Sequence, residues 1–225
     1  MANKLPPVVR PALGPFDDDK TPTTSRPPPL PATIPPLIVA APAMQMRRKP
    51  AHPRNYGHVE RVPRIIVVHC TDGHEGPTKD SDVAAMFANP TLSPRRSAHY
   101  VVDTDSATQC VDDKLPAWHC GRTGNERGIG IELCGRANQT YEQWHDSLSL
   151  PMLQIAARLI ADLCRRHEIP AVYLTSPELR INRSGITTHS SVSLAWGESS
   201  HTDPGPNFPM VKFVNAVRVA LGLTL

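Results

Sequence analysis

Three segments far apart in the chain carry the side chains best suited to chemistry. His69 ends the run Val-Val-His-Cys, and His189 follows Thr187-Thr188. His201-Thr202-Asp203-Pro204-Gly205-Pro206 joins a histidine and a carboxylate in a turn-rich stretch. Two imidazoles and one carboxylate drawn from separate loops suit an open zinc site, with three protein ligands and a fourth position for water or substrate. Taken singly, each residue is ordinary. A histidine at a strand end commonly serves as a surface hydrogen-bonder, and Asp-Pro-Gly by itself is a turn. Ten histidines in 225 residues also allow some clustering by chance.

The elements that must position these residues are legible as alternating strands and helices. Arg64-Ile65-Ile66-Val67-Val68-His69 is a β-branched run of the kind that forms a buried strand, and ligands gather where such strands open into loops. A helix is expected over 79–89, closed by Pro90. Strands are expected over 98–103 and 108–111, joined by the polar turn 104–107, and a nearly all-apolar strand over 128–134. In the segment 151–167, Leu153, Ala156, Leu159, Ile160 and Leu163 recur at three- and four-residue spacing, which makes one buried helical stripe. Ser149 is expected to cap it and Pro170 to end it. A short strand over 171–175, a long loop to Thr188 and a helix over 209–221 complete the reading. The pattern predicts an α/β fold: a single domain with a central mixed sheet flanked by helices.

Composition separates this domain from what precedes it. Of 25 prolines, fifteen fall before Arg64, and proline denies a segment both continuous helix and a central strand. Residues 1–60 are therefore expected to be a Pro-rich extended tail, with 61–225 as the folded domain. Within the tail, 26–31 could serve as a polyproline ligand or as a passive spacer. The apolar run 34–44 is short and broken by prolines, so it is no membrane span. The start of the chain lacks the apolar stretch of a signal peptide. A net charge of +3 and a pI near 8.7 suit an anionic partner but equally suit ordinary solubility. Five cysteines without a CxxC pair argue against a disulfide scaffold or a Cys-based zinc finger. Because adjacent strand residues face opposite ways, Cys70 is expected to point away from a site that holds His69, with Cys134 and Cys164 also in the core.

Taken in order, six motifs change the reading. Val-Val-His-Cys-Thr, Ala-His-Tyr-Val-Val-Asp, Ala-Trp-His-Cys-Gly, Gly-Ile-Gly-Ile-Glu-Leu-Cys-Gly, Thr-Thr-His and His-Thr-Asp-Pro-Gly-Pro-Asn-Phe-Pro together resemble the N-acetylmuramoyl-L-alanine amidase family over residues 64–221. The resemblance implies a Zn2+-dependent hydrolase acting on bacterial peptidoglycan at the bond between N-acetylmuramic acid and L-alanine. It implies zinc ligands at His69, His189 and Asp203, and a general base at Glu132. His201 stands where many members have lysine, and is expected to support the oxyanion. Trp118 and His119 match a pair beside the substrate groove. The implied setting is a monomeric phage endolysin held in the host cytoplasm until release, without nucleic-acid or membrane partners. The alternative is a peptidoglycan-binding protein that recognises without cutting, although such relatives typically lose a zinc ligand. A cysteine peptidase is disfavoured, because no cysteine sits at an exposed helix start where its pKa would fall.

Overall fold

The β-branched runs assemble into a six-stranded sheet in the computed structural model, which describes residues 44–224. The polyproline stretch 26–31 and the apolar run up to residue 43 lie outside the described residues. The strands are β1 (Gln45–Arg48), β2 (Ile65–Cys70), β3 (Tyr100–Val102), β4 (Ser106–Gln109), β5 (Gly128–Leu133) and β6 (Gly185–Thr188). Their order across the sheet is β1-β4-β3-β5-β2-β6. Only β3 and β4 pair antiparallel, as the expected hairpin; the other neighbours run parallel. The expected mixed α/β sheet is thus present.

The helices are α1 (Lys79–Phe87), α2 (Arg122–Arg127), α3 (Ser149–His167), α4 (Ser176–Arg180), α5 (His189–Trp196) and α6 (Met210–Ala220). Strand alternation sorts the apolar side chains onto the two faces of the sheet. Ile66, Val68 and Cys70 of β2 and Ile129, Ile131 and Leu133 of β5 join the main core with α3 and α6. Ile65 and Val67 face the other way, against Cys120, Leu179 and Val192. His69, Gly130 and Glu132 share the parity of this second face. Cys70, Cys134 and Cys164 are buried in the main core, as expected, and all five cysteines are free and buried.

Several local readings are corrected. The tail expected to reach residue 60 includes β1, which pairs with β4 from Gln45↔Ser106 to Arg48↔Gln109. Prolines flank that stretch but do not enter it, so its N–H groups are free to pair. Further along, His52 N–H and Asn55 Nδ2 both donate to Phe87 O at the end of α1 (2.9 and 2.8 Å). Ser149 is the first residue of α3 rather than its cap. Asp146 Oδ1 satisfies the backbone N–H groups of Leu148 and Ser149 (2.9 and 2.8 Å), while Ser149 Oγ donates to Glu75. The expected strand 171–175 contributes one bridge, Tyr173↔Ile186. The supposed loop after it holds α4 and β6. No described helix is long and apolar enough to cross a membrane.

Candidate metal centre

Parallel pairing brings three site residues to one end of the sheet. Register places Glu132 of β5 directly beside His69 of β2. On the other side of β2, Val68 pairs with Thr188, so His189 follows one step beyond, at the level of His69. His189 is not in a loop: it is the first residue of α5. Thr188 caps that helix, its Oγ1 accepting from Ser191 N–H (3.1 Å), a contact worth about 1 kcal/mol.

Asp203 arrives from the turn beyond α5, where its carbonyl accepts from Ser190 N–H (3.1 Å). Gly205 makes this turn possible. Its φ is +96°, and an added Cβ would lie 1.9 Å from Ala137 O, so only glycine fits. A cis peptide links Asp203 to Pro204.

The three side chains converge closely. His69 Nδ1 lies 3.0 Å from Asp203 Oδ2, and His189 Nδ1 lies 3.0 Å from Asp203 Oδ1. All three residues are buried, and their donor atoms fall within 4.8 Å of one another. Two imidazole nitrogens and a carboxylate aimed at one point fit a zinc ion in both donor type and number. The paired histidines hold the Asp203 carboxyl far below the usual carboxylate range despite its burial, while desolvation lowers the pKa of His69. Both shifts favour the protonation states that bind metal.

Each of the two imidazoles is also held at its other nitrogen. His189 Nε2 lies 2.9 Å from Ser199 Oγ, and His69 Nε2 lies 2.9 Å from His119 Nδ1. His201 stacks on His189, with ring centroids 4.8 Å apart and planes at 6°, and its Nδ1 stands 3.8 Å from Asp203 Oδ1. Its own side chain is 71% exposed, so its ring borders the open side of the centre.

Glu132 is brought to the same cleft. Its Oε2 is buried without a hydrogen-bond partner among the described residues, and its pKa is pushed up to about 8, chiefly by burial and then by the nearby Asp203 charge. A carboxylate so poised can take a proton near neutral pH. The cleft occupies about 970 Å³ and is lined by Glu132, Trp118, His119, Arg96, Lys79 and His201 among others. Trp118 is partly buried there, its backbone N–H donating to Ser97 Oγ (3.2 Å).

Sequence reading missed two supports of this site. Asn125 Oδ1 accepts from the backbone N–H groups of both His119 and Cys120 (2.8 Å each), fixing the segment that carries His119. Ser199 was equally unmarked, and one of two serines in a Glu-Ser-Ser-His stretch offers no pattern to find it by.

A family model described as N-acetylmuramoyl-L-alanine amidase matches residues 59–206, a span that contains His69, Glu132, His189 and Asp203. The chain belongs to the N-acetylmuramoyl-L-alanine amidase family. Membership makes it an enzyme of that class, with peptidoglycan as its substrate. No curated protein matches the chain. Among solved structures, it is similar to Staphylococcus aureus hydrolase AmiA in complex with its ligand (TM-score 0.58, 22% identity, covering 82% of this chain and 87% of that one). It is also similar to PlyL (TM-score 0.54, 22% identity, 77% and 97%). A mutant endolysin from Bacillus subtilis matches with TM-score 0.55 and 19% identity, over 80% of this chain and 100% of that one. At these identities the likeness speaks to the fold, which this family member shares with all three.

Proposed function

We propose that this amidase is zinc-dependent and hydrolyses the amide between the lactyl group of N-acetylmuramic acid and the L-alanine of the stem peptide. The observation that carries the reading is the convergence of His69, His189 and Asp203 beside Glu132 at one end of the sheet. An unactivated amide needs a strong nucleophile and charge stabilisation on its carbonyl oxygen; zinc held by these three residues would supply both.

The chain's own residues do the rest. Glu132 takes the proton of the attacking water and returns it to the leaving amine, a role its pKa near 8 suits at neutral to mildly alkaline pH. His201, at the exposed edge of the centre, donates to the oxyanion, where a single donor is worth about 10²–10³ in rate. Trp118 offers the cleft an aromatic surface for the glycan or peptide. The retention of a complete ligand set supports cleavage over recognition alone.

The biological setting we propose is that of a monomeric phage endolysin, kept in the host cytoplasm until release to the wall. The shared fold with an endolysin structure supports it. Zinc content tests the chemical core of the reading: the wild-type protein is expected to bind one zinc, whereas H69A, H189A and D203A lose both zinc and wall-degrading activity. A metal-free wild type that degrades peptidoglycan at full rate in chelator would overturn it.

A further inference from the structure

His119 occupies a socket whose construction is hard to explain by substrate contact alone. Its ring lies against β5 at Gly130, where an added Cβ would fall 2.7 Å from Cγ and 2.8 Å from Nδ1 of the imidazole. Any residue other than glycine at 130 would therefore expel the ring. A Cβ on Gly128 would also lie 3.5 Å from His119 Cε1. From behind, His99 stacks edge-on at 5.7 Å between centroids. His99 is itself fixed, accepting Gly130 N–H at Nδ1 (2.9 Å) and reaching Leu115 O from Nε2 (2.9 Å). Asn125 clamps the backbone on both sides of the His119 peptide.

All this fixes one contact, His119 Nδ1 to His69 Nε2 at 2.9 Å, with the rings nearly perpendicular at 87°. The arrangement repeats at the second histidine, whose Nε2 is held by Ser199 Oγ. In both cases the outer nitrogen is anchored and Nδ1 is left facing Asp203. Partners of this kind orient a ligand imidazole and set which nitrogen carries its proton.

We propose that His119 is a positioning residue for the metal centre, which holds His69 with Nδ1 presented to the cation. The inference rests on the zinc reading given above. When Nδ1 of His69 presents its lone pair, Nε2 carries the hydrogen and donates to His119. When Nδ1 instead donates to Asp203, Nε2 becomes the acceptor. An imidazole serves both states, because either ring nitrogen can donate or accept; a carboxylate could only accept. Among the described residues the remaining nitrogen of His119 meets only Cys120 Sγ, at 3.9 Å, a weak contact that tolerates either arrangement.

The test measures zinc affinity by chelator competition for wild type, H119A and H119N, together with the visible spectrum of the cobalt-substituted proteins. H119A is expected to bind zinc 10- to 100-fold more weakly and to show an altered cobalt spectrum. H119N, whose amide can still donate or accept near the Nδ1 position, is expected to recover most of the affinity. KM for peptidoglycan fragments is measured alongside, at saturating zinc. Zinc affinity of both variants within twofold of wild type overturns the inference, and a raised KM in that case returns His119 to substrate binding. If H119A does not fold, H119N and H119Q carry the same comparison, with weaker zinc binding by H119Q expected and unchanged binding by both contradicting the inference. Failure of the wild type itself to bind zinc would remove the underlying metal-centre reading, a different result from wild-type binding that His119 does not influence.

Discussion

Replacing Glu132 with glutamine should stabilise the metal-free protein at alkaline pH while removing its activity. Burial, and then the Asp203 charge, raise the Glu132 pKa from 4.5 to about 8 in the folded protein. Between those values the folded state keeps a proton that the unfolded chain has released. The stability tied to that proton is fully present below pH 4.5 and is lost as pH rises through 8. At 1.36 kcal/mol per pH unit the upper bound is ~5 kcal/mol, and water entry with side-chain relaxation brings the expected value to ~2–4 kcal/mol. Glutamine cannot ionise, so E132Q escapes this loss. With ~2–4 °C per kcal/mol for a chain of this size, chelator-treated E132Q should melt ~5–15 °C above wild type at pH 9. At pH 5, half a unit above 4.5, the ionisation should contribute only ~1–3 °C to the gap. Comparing the two gaps cancels every group common to both proteins and any packing effect of the amide. Zinc loading should shrink the pH 9 gap, because a nearby cation favours the carboxylate. The same substitution should lower kcat by ~10²–10⁴-fold. Equal melting gaps at pH 5 and pH 9 would refute the reasoning, since they would mean that Glu132 ionises in the folded protein as readily as in solvent.

Other substitutions probe separate parts of the account. G205A forces a Cβ against Ala137 O at a positive φ; a loss of ~3 kcal/mol or more, seen in chemical denaturation, is expected. T188A removes the cap of α5 and should cost ~1 kcal/mol, with a modest fall in zinc affinity because His189 opens that helix. H201A should keep its zinc but lose ~10²-fold in kcat, a split that kinetics and metal analysis on one preparation will resolve. In metal-free D203N, two imidazoles lose the carboxylate that pairs with them; zinc binding should vanish in a chelator competition assay.

Much of this was legible in the sequence where side-chain pattern dictates burial. The β-branched run before His69 and the three- and four-residue spacing in α3 declare their elements, because each must bury one face or both. Elements of four to eight residues are too short for periodicity to show, which hid β6, α4 and α5. A local signal was nevertheless present for α4: Thr175 and Glu178 form a capping box, with Pro177 in the first turn. β1 was hidden for another reason, since a proline-rich neighbourhood masked four residues that contain none. At the site, residue types and order pointed to His69, His189, Asp203 and Glu132, yet the adjacency of Glu132 to His69 depends on strand register, which composition does not encode. The contact of His119 with His69 was invisible for the same reason: it is made across the sheet face, through space opened by Gly130.

The central claim is cleavage of one particular bond by a zinc-loaded centre. Incubating the purified protein with isolated peptidoglycan, with chelator and after zinc is restored, and identifying the products by mass spectrometry tests it most directly. Intact stem peptides with a free L-alanine amino terminus are expected, absent in chelator and recovered with zinc. Products cut within the glycan or within the stem peptide, or release that persists undiminished in chelator, would contradict it.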